Sequence, residues 1–374
     1  MESIVKKAVK RARTTVKPKA TKSKKAIRND EELVKLLETS QAKIRVVGVG
    51  GGGGNTITRM TEVGITGAET LAVNTDAQDL IKVSADQKIL IGKDLTRGLG
   101  SGSDPTVGEG AARESLDDLT ELLSDADLIF ITCGMGGGTG TGAAPIVSEI
   151  AKEVKALTIG IVTLPFTVEG RKRMENAIHG LGNLRKNSDT VIVIPNDKIL
   201  EIAPDLPVNA AFKVADEVLT NAVKGITEMV TKPGLINLDY ADLKTILSKG
   251  GAAMIGLGES RGDERGEARA LEAVESALTS PLLDVDISGA NRALINVIGG
   301  SDMTLREAEM IVETVSAKIS ADAHIIWGAM IDENMPRNQI QAMVVIAGGK
   351  FPYLQDVDKI DLSEPIDLGI EFSG

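Results

Sequence analysis

Aromatic, cysteine and histidine residues are all scarce in this chain, and each scarcity excludes a class of protein. Aromatics make up 2% of the 374 residues, with Trp327 the single tryptophan, which predicts an aliphatic core and argues against base-stacking platforms for single-stranded nucleic acid. One cysteine, Cys133, excludes an internal disulfide and fits a reducing compartment; between a strand and glycines, it is expected to be a buried filler. His179 and His324 are too few and too isolated for a histidine-based metal site.

Long hydrophobic runs are missing as well. The chain has no apolar stretch of 18 residues, and its N-terminal segment has no apolar signal core. We therefore expect a soluble, cytoplasmic protein without a transmembrane segment.

The net charge of -11 is unevenly distributed along the chain. Residues 1–28 hold eleven Lys and Arg residues against one acid, Glu2, so the remainder has 31 basic and 52 acidic residues, a formal charge of -21. Such a body repels nucleic acid and tolerates Mg²⁺. The basic segment 1–28 is predicted to be a disordered tail, with a weak arm for an anionic membrane or a partner as the alternative.

Short apolar runs alternate with helical patterns in the first half of the chain. The runs are 44–49, 70–73, 88–91, 128–131, 157–164 and 190–194. This alternation predicts an α/β fold built on a Rossmann-like, mainly parallel sheet with both faces covered. Ligands of such sheets bind at the carboxyl ends of the strands.

The periodicity changes after this region and divides the chain further. Apolar residues at helical spacing predict one long central helix over 209–232, which Pro233 and Gly234 end. Predicted strands at 252–257, 293–298, 325–331 and 339–346 and predicted helices at 264–278 and 305–319 then indicate a smaller C-terminal α+β domain over 233–347. Thr304 and Glu307 are predicted to form a capping box for the second of these helices. The complete division is the tail 1–28, a first domain over 29–208 that starts with a helix at 30–40, the central helix 209–232, the domain 233–347 and a tail over 348–374.

A glycine run at residues 136–142, GGGTGTG, lies between a predicted strand and a predicted helix. Glycines bring several backbone N–H groups close to a ligand, and a helix N-terminus adds partial positive charge. This run therefore predicts a phosphate site. Because it contains no Lys or Arg, it is not a Walker-type loop, and backbone amides with a metal ion must neutralise the anion.

The first predicted strand leads into a second glycine run, Gly50 to Gly54, and the segment Gly48 to Gly53 matches the GxGxxG pattern. Taken alone, with Asp76 as a ribose-binding acid, it favours a nicotinamide-binding Rossmann domain. That pattern is weak, since any run of five glycines satisfies it. Two glycine loops facing one site instead favour a nucleotide with a long phosphate chain.

Together with five further motifs, the two runs resemble the tubulin/FtsZ family of GTPases over residues 43–350. The further motifs are Asn74-Thr75-Asp76, the segment 98–102, the segment 165–173, Pro195-Asn196-Asp197 and the segment 237–242. GGGTGTG is the most specific of them. The compact second domain is more like FtsZ, the prokaryotic cell-division branch, than like tubulin, and the Lys-rich N-terminal extension is more like archaeal members.

The resemblance implies a role for individual residues of the first domain. The phosphates would be lined by Gly51, Gly52, Gly53, Gly54, Asn55, Gly138, Thr139 and Gly140. Glu169 would hold the ribose, Arg173 would lie beside the nucleotide, and Phe212 would pack on the base. Asp216 would select guanine, with Asn55 and Asn196 in support, since a carboxylate accepts from both guanine N1–H and its 2-amino group and adenine offers no equivalent pair.

The segment Asn237-x-Asp239-x-x-Asp242 is the predicted catalytic element. Two carboxylates three residues apart on a starting helical turn face the same way, and they can orient a water molecule or hold Mg²⁺ for attack on a γ-phosphate. A plain helix cap is the alternative. The resemblance implies that these residues enter the nucleotide site of a neighbouring subunit when protofilaments form head to tail.

The implied function is therefore a self-assembling GTPase that forms the cytokinetic ring in prokaryotic division. GTP and GDP would be its ligands, Mg²⁺ would be held mainly by their phosphates, and membrane-tethering division proteins would be partners, with 366–372 as a docking peptide or simply a frayed end. Two alternatives stay open. One is a nicotinamide-dependent oxidoreductase, and the other is a tubulin-like scaffold that holds GTP without hydrolysing it.

Overall fold

The computed structural model describes residues 42–349, apart from 203, 204, 206, 249, 263, 264 and 284. The predicted tail 1–28, the predicted helix 30–40 and the predicted docking peptide 366–372 lie outside the described residues. None of the helices in the described part combines the length and apolar character needed to cross a bilayer.

All the strands predicted from apolar runs are present, with small shifts at their ends. They are β1 (Ile44–Val49), β2 (Ala68–Asn74), β3 (Gln87–Leu90), β4 (Leu128–Gly134), β5 (Leu157–Leu164), β6 (Thr190–Pro195), β7 (Gly251–Glu259), β8 (Arg292–Gly299), β9 (His324–Ile331) and β10 (Ile340–Ala347). The side chains of β1, β4, β5 and β6 are largely buried on both faces, as continuous apolar runs predict, whereas Gln87 and Lys88 of the edge strand β3 are exposed.

Helices connect most of these strands. They are α1 (Gly50–Val63), α2 (Ala77–Lys82), α3 (Lys93–Thr96), α4 (Pro105–Glu114), α5 (Leu116–Leu123), α6 (Thr139–Glu153), α7 (Arg171–Asn187), α8 (Asn196–Ile202), α9 (Val208–Thr231), α10 (Tyr240–Leu247), α11 (Glu267–Leu278) and α12 (Leu305–Ser316). Short 3₁₀ turns occupy Thr167–Glu169 and Pro281–Leu283.

The strands form one ten-stranded sheet in the order β3-β2-β1-β4-β5-β6-β7-β10-β8-β9. The first six in this order pair in parallel, which confirms the predicted α/β class. The chain reverses its direction of winding between β1 and β4. Such a topological switch point is where doubly wound sheets bind ligands.

The sheet continues into the predicted C-terminal domain. β7 pairs in parallel with β6 over Thr190–Ile192, and β10 then lies antiparallel between β7 and β8, with β9 parallel to β8 at the edge. This mixed pattern agrees with the predicted α+β character of the last part. The two predicted domains therefore share one backbone hydrogen-bond network at β6 and β7.

The central helix α9 spans 24 residues, or about 36 Å, and it packs against strands of both halves. Ala222, Val223 and Ile226 are fully buried on its apolar face. They belong to one core cluster with residues such as Ile159 of β5 and Leu294 of β8. Because a fully buried aliphatic side chain contributes about 1.5–3 kcal/mol, this face holds both halves of the sheet to one helix.

Three predicted helix boundaries are wrong. α1 begins at Gly50, so the predicted loop from Gly50 to Gly54 is the first turn of a helix. α11 begins at Glu267 rather than at 264, because Gly266 has a φ of 62° that a helix cannot include. α12 ends at Ser316 rather than at 319. Its predicted capping box is confirmed, because the Thr304 side chain accepts from Glu307 N and the Glu307 side chain accepts from Thr304 N.

Candidate nucleotide-binding site

A cavity of about 470 Å³ opens at the carboxyl ends of the parallel strands. Its wall includes the last residues of β1 and β2 and the ends of β4 and β5, as well as Asn196 directly after β6. This edge contains the switch point between β1 and β4. The cavity therefore occupies the position that the predicted fold assigns to a ligand.

The two glycine runs meet in this cavity. Gly50 has a φ of 71°, and a Cβ atom placed on it would lie 2.9 Å from the backbone nitrogen of Gly140. A larger residue at Gly50 would be strained by its φ and obstructed by Gly140. The runs thus touch each other, although about 85 residues of chain separate them by count.

Both runs also begin helices, α1 at Gly50 and α6 at Thr139, and both helix N-termini face the cavity. Neither helix has a side-chain hydrogen bond to its first N–H groups from its N-cap residue, Val49 or Gly138. Uncapped N–H groups and the helix dipoles together favour an anion. This wall of the cavity can therefore hold phosphate groups without a lysine.

Most of the predicted phosphate residues line the cavity, but two do not. Gly51, Gly52 and Asn55 contribute to its wall from α1, as do residues 137–140 from the other run. Gly53 and Gly54 are buried instead, and that prediction is corrected. A Cβ atom on Gly53 would lie 2.5 Å from Thr132 O, and one on Gly54 would lie 2.8 Å from Val83, so both glycines allow close packing of α1.

A chain of three hydroxyls supports the phosphate wall from behind. Thr139 Oγ1 lies 2.7 Å from Thr75 Oγ1 and 3.0 Å from Ser101 Oγ. Ser101 belongs to a loop in which Arg97, Gly98, Gly100, Gly102 and Ser103 all have positive φ. The motif at 98–102 contains Ser101, yet the sequence did not predict it as a site residue; its setting among glycines after an Asn-Thr-Asp motif was the available signal.

Helix α9 supplies another part of the cavity wall, including Phe212, which belongs to an aromatic pair. Phe212 packs edge-on against Phe166, with ring centroids 5.1 Å apart and an interplanar angle of 87°. Phe212 and Asp216 both line the cavity. Phe166, which belongs to the motif at 165–173 but was not predicted as a site residue, therefore orients the ring that was predicted to contact a base.

Asp216 sits in a setting that is unusual for a carboxylate. Its Oδ1 accepts a hydrogen bond of 3.3 Å from Thr56 Oγ1 of α1. Burial raises the pKa of Asp216 to about 6, and the hydrogen bond from Thr56 opposes this only in part. Close by, Asn196 is buried with its Oδ1 lacking a hydrogen-bond partner among the described residues. Both groups are acceptors that a ligand's N–H or O–H groups would satisfy.

Glu169 and Arg173 form an ion pair at the mouth of the cavity. Arg173 Nε lies 3.0 Å from Glu169 Oε2, and the backbone N of Phe166 donates to Glu169 Oε1 at 2.8 Å. The carboxylate is thus held in one orientation between the 3₁₀ turn and α7. Both residues line the cavity, and their roles beside the nucleotide stay a prediction.

The three predicted catalytic residues lie away from this cavity. Asp239 is the N-cap of α10, where its Oδ1 accepts from Asp242 N at 2.8 Å, and Asp242 Oδ2 accepts from Asp239 N at 3.3 Å. Asn237 Oδ1 accepts from Gly234 N in the preceding turn. The helix-cap alternative is therefore correct as local geometry, while the second oxygen of each carboxylate is not used by the cap.

Tyr240 shows at which end of the sheet these acids lie. Its hydroxyl donates to the backbone oxygen of Asp127 at 2.8 Å, and Asp127 immediately precedes β4. The cavity begins at Gly134, the other end of that strand. A strand of seven residues spans about 23 Å. In one copy of the chain, the phosphate wall and the paired acids therefore lie about the length of one strand apart, at opposite ends of the sheet.

Two other features of the described chain lie apart from this site. A larger cavity of about 870 Å³ lies between α9 and the strands β7, β8 and β10, but it contains none of the predicted site residues. Cys133 is fully buried, and desolvation raises the pKa of its thiol to about 12, so it is a neutral filler as expected. No cluster of His, Cys, Asp and Glu that could hold a metal ion occurs among the residues described.

Comparison with known proteins agrees with this geometry. Residues 43–204 match the family model described as "Tubulin/FtsZ family, GTPase domain", and residues 251–350 match "FtsZ family, C-terminal domain". "Cell division protein FtsZ 1" of Thermococcus kodakarensis is 58% identical over 91% of this chain and 90% of that protein. The protein of the same name from Methanocaldococcus jannaschii is 57% identical over 85% of this chain and 86% of its own length.

A solved structure of similar fold gives the same result. The structure titled "FtsZ dimer, empty (M. jannaschii)" superposes with a TM-score of 0.81 at 56% identity, and the match covers 86% of this chain and 92% of that one. Its fold agrees with both family models. The chain belongs to the tubulin/FtsZ family and carries its GTPase domain.

Proposed function

We propose that the chain binds GTP in the cavity at the carboxyl ends of the strands and hydrolyses it only when a second copy supplies Asp239 and Asp242. The observation that carries this proposal is the separation of the two halves of the chemistry on one molecule. The phosphate wall lies at one end of β4, and the paired acids lie at the other, anchored through Tyr240. A head-to-tail contact between copies brings the two together.

The cavity fits a triphosphate with a cation. Its phosphate wall offers backbone N–H groups and hydroxyls, all neutral, so the charge of a triphosphate needs a counterion. Mg²⁺ bound to the phosphates would supply that counterion and would help to neutralise the charge that develops on the β-phosphate of the leaving GDP. Asp76 and Asp79 line the same cavity, and their carboxylates are hard oxygen donors of the kind that Mg²⁺ and its water shell accept.

The base side of the cavity suits guanine. Ionised Asp216 can accept from guanine N1–H and from its 2-amino group, and Asn196 Oδ1 is a second acceptor that has no partner among the described residues. Phe212, held by Phe166, provides an apolar face for the ring. Glu169 and Arg173, which hold each other at the mouth, are positioned for ribose hydroxyls and the outer edge of the nucleotide.

The acids would act on a water molecule. Each carboxylate keeps one oxygen outside the capping box, and a pair of such oxygens can orient and polarise water for in-line attack on a γ-phosphate. Asn237, which lies just before the box in the chain, would complete the group. Because the contact is heterologous, each added copy presents the same free ends, and open filaments form rather than closed dimers.

The named relatives support a role in cell division. Proteins 57–58% identical to this chain carry the name "Cell division protein FtsZ 1", and a similar solved structure is a dimer. We place the chain in the cytoplasm at the division site, with other copies of itself as the first partner and membrane-tethering division proteins as further partners.

Turnover measured against protein concentration tests this proposal. With GTP and Mg²⁺, activity per molecule should rise above a threshold concentration, and light scattering should rise at the same threshold. Activity strictly proportional to protein, without scattering, would refute a site shared between copies. The nicotinamide alternative is disfavoured because two glycine runs, rather than one, converge on a single cavity.

A further inference from the structure

Thr75 is a fully buried residue directly after β2 that does not line the cavity, yet it touches a residue that does. Its Oγ1 lies 2.7 Å from Thr139 Oγ1, and Thr139 begins the helix at the phosphate wall. We propose that Thr75 is a positioning residue for phosphate binding: its hydroxyl donates to Thr139 and leaves the Thr139 O–H group to point at the nucleotide phosphates. This inference rests on the proposed nucleotide site.

Hydrogen-bond accounting fixes the direction of the bond. A hydroxyl has one donor and two acceptor sites. Within the described part of the chain, the Thr75 hydroxyl pairs with Thr139. If Thr139 were the donor, the Thr75 O–H would be a buried donor without an acceptor, which costs about 1–3 kcal/mol. With Thr75 as donor, that cost disappears.

The consequence appears at Thr139. Ionised phosphate oxygens only accept hydrogen bonds, so Thr139 contributes to binding only if its own proton is free. Thr75 fills one acceptor site of Thr139 Oγ1, and Ser101 Oγ lies 3.0 Å away in a contact where either hydroxyl can be the donor. With its proton not given to Thr75, Thr139 can turn it towards the cavity, because Ser101, which also lines the cavity, can take the donor role in their contact.

The backbone of Thr75 holds the neighbouring loop by separate bonds. Its carbonyl oxygen accepts from Gly100 N at 3.1 Å and from Thr96 Oγ1 at 3.3 Å. A side-chain substitution leaves both of these bonds in place. Thr75→Val keeps the shape of the side chain and removes the hydroxyl, whereas Thr75→Ser keeps the hydroxyl and removes the methyl group, so the pair isolates the proposed donor.

Equilibrium binding below the assembly threshold tests the inference. GTP, GDP and guanosine are compared on the full chain with Mg²⁺, the weak ligand guanosine by competition. Thr75→Val should bind GTP and GDP about 3- to 10-fold more weakly than the wild type, the range for one lost hydrogen bond. Guanosine has no phosphate and should bind equally to both proteins. Thr75→Ser should restore GTP affinity.

Each other outcome overturns the inference. Unchanged GTP affinity in Thr75→Val would show that the hydroxyl does not act on the phosphates. Equal losses in the Val and Ser variants, or an equal loss of guanosine affinity, would indicate packing rather than proton orientation. A wild-type chain that bound neither GTP nor GDP would refute the proposed function first, before any variant is compared.

Discussion

The Tyr240 hydroxyl and the Asp127 carbonyl oxygen, 2.8 Å apart, join α10 to the amino end of β4. The same oxygen accepts from Leu157 N at 2.8 Å, so one carbonyl connects α10 to two neighbouring strands. Asp239 is the residue before Tyr240 and cannot reach the cavity at the other end of those strands. The chemistry is thus divided between the two ends of one sheet.

Removal of either carboxylate charge should abolish hydrolysis without affecting nucleotide binding. Asp239→Asn and Asp242→Asn keep the size of each side chain, and Asn is also a good N-cap, so α10 should persist. We expect turnover of GTP to fall by at least about 100-fold, since a positioned acid–base group contributes about 10²–10⁴. GTP affinity, measured by titration, should stay unchanged; a loss of affinity would show that the acids face their own nucleotide.

Mixing two inactive variants should restore activity if the site is shared. Asp242→Asn retains the phosphate wall. Gly137→Val should block nucleotide binding, because Gly137 lines the cavity and its Cβ position has no atom within 4 Å, so the new side chain would extend into the space of the nucleotide. The first variant then holds GTP while the second supplies intact acids. Turnover of the mixture above the sum of the separate proteins, with co-assembly monitored by scattering, is the expected result. Strict additivity despite co-assembly would contradict it.

Asp216→Ala should relax the preference for GTP over ATP. The variant loses the acceptor proposed to pair with guanine N1–H and the 2-amino group, and polar discrimination of this kind is worth orders of magnitude. We expect the ratio of GTP to ATP affinity to fall at least about 10-fold. Glu217→Ala is the matched control, since this neighbouring acid pairs with Arg59 at 3.1 Å outside the cavity. Unchanged selectivity would indicate that Asn55 or Asn196 selects guanine instead.

Guanine binding should depend on pH through Asp216. Burial raises its pKa from 3.8 to about 6, so the carboxyl is partly protonated near pH 6 and loses an acceptor site. GTP affinity should therefore rise with pH through about 6 and level off above 7. The nucleotide phosphate also ionises in this pH range. The Asp216→Asn variant, titrated in parallel, measures that contribution alone. An identical pH profile in the two proteins would show that Asp216 does not titrate in this range.

The same shift predicts the pH dependence of stability without nucleotide. Between pH 3.8 and about 6 the folded chain holds a proton that the unfolded chain releases. The free energy of unfolding should therefore fall as pH rises through this window. Asp216→Asn should remove this component, so that the Tm of the variant minus the Tm of the wild type is more positive at pH 7 than at pH 4.

In the phosphate wall, substitution by Ala should lower stability at Gly50 but GTP affinity at Gly137. Gly50→Ala meets both a φ of 71° and the nitrogen of Gly140, so it should lower the free energy of unfolding by about 1–3 kcal/mol. Gly137→Ala meets no atom within 4 Å and should change stability by less than about 0.5 kcal/mol, yet weaken GTP binding by its methyl group. Urea denaturation and GTP titration measure the two effects; equal stability losses would contradict the assignment.

Elements with a strong local signal could be predicted from the sequence. The buried strands were found because a short, continuous apolar run between turn residues is typical of a strand covered on both faces, and α9 because its apolar positions keep a 3.6-residue period over 24 residues. The start of α1 was missed because a glycine run argues against a helix by propensity. In the structure, its packing against β1 and β4 outweighs that propensity.

Only site residues that belong to a recognisable sequence motif could be predicted. A glycine run does not indicate which members face a ligand, so Gly53 and Gly54 were placed with Gly51 and Gly52, although they serve the packing of α1. Thr75 and Ser101 were missed as partners of Thr139 because the contacts cross 64 and 38 positions of chain. Contacts of that kind depend on the tertiary structure and leave no local pattern.

The parallel direction of β1, β4, β5 and β6 gives the molecule a head and a tail that are chemically different. In the proposed filament, every copy carries one nucleotide, but the copy at one end has no neighbour to bring acids to it. A filament of n copies then holds n nucleotides and n − 1 complete sites. The GTP at that end is not hydrolysed until another copy arrives, so the end stays in the triphosphate state as long as copies keep adding to it. The strand direction of the single sheet determines which end this is.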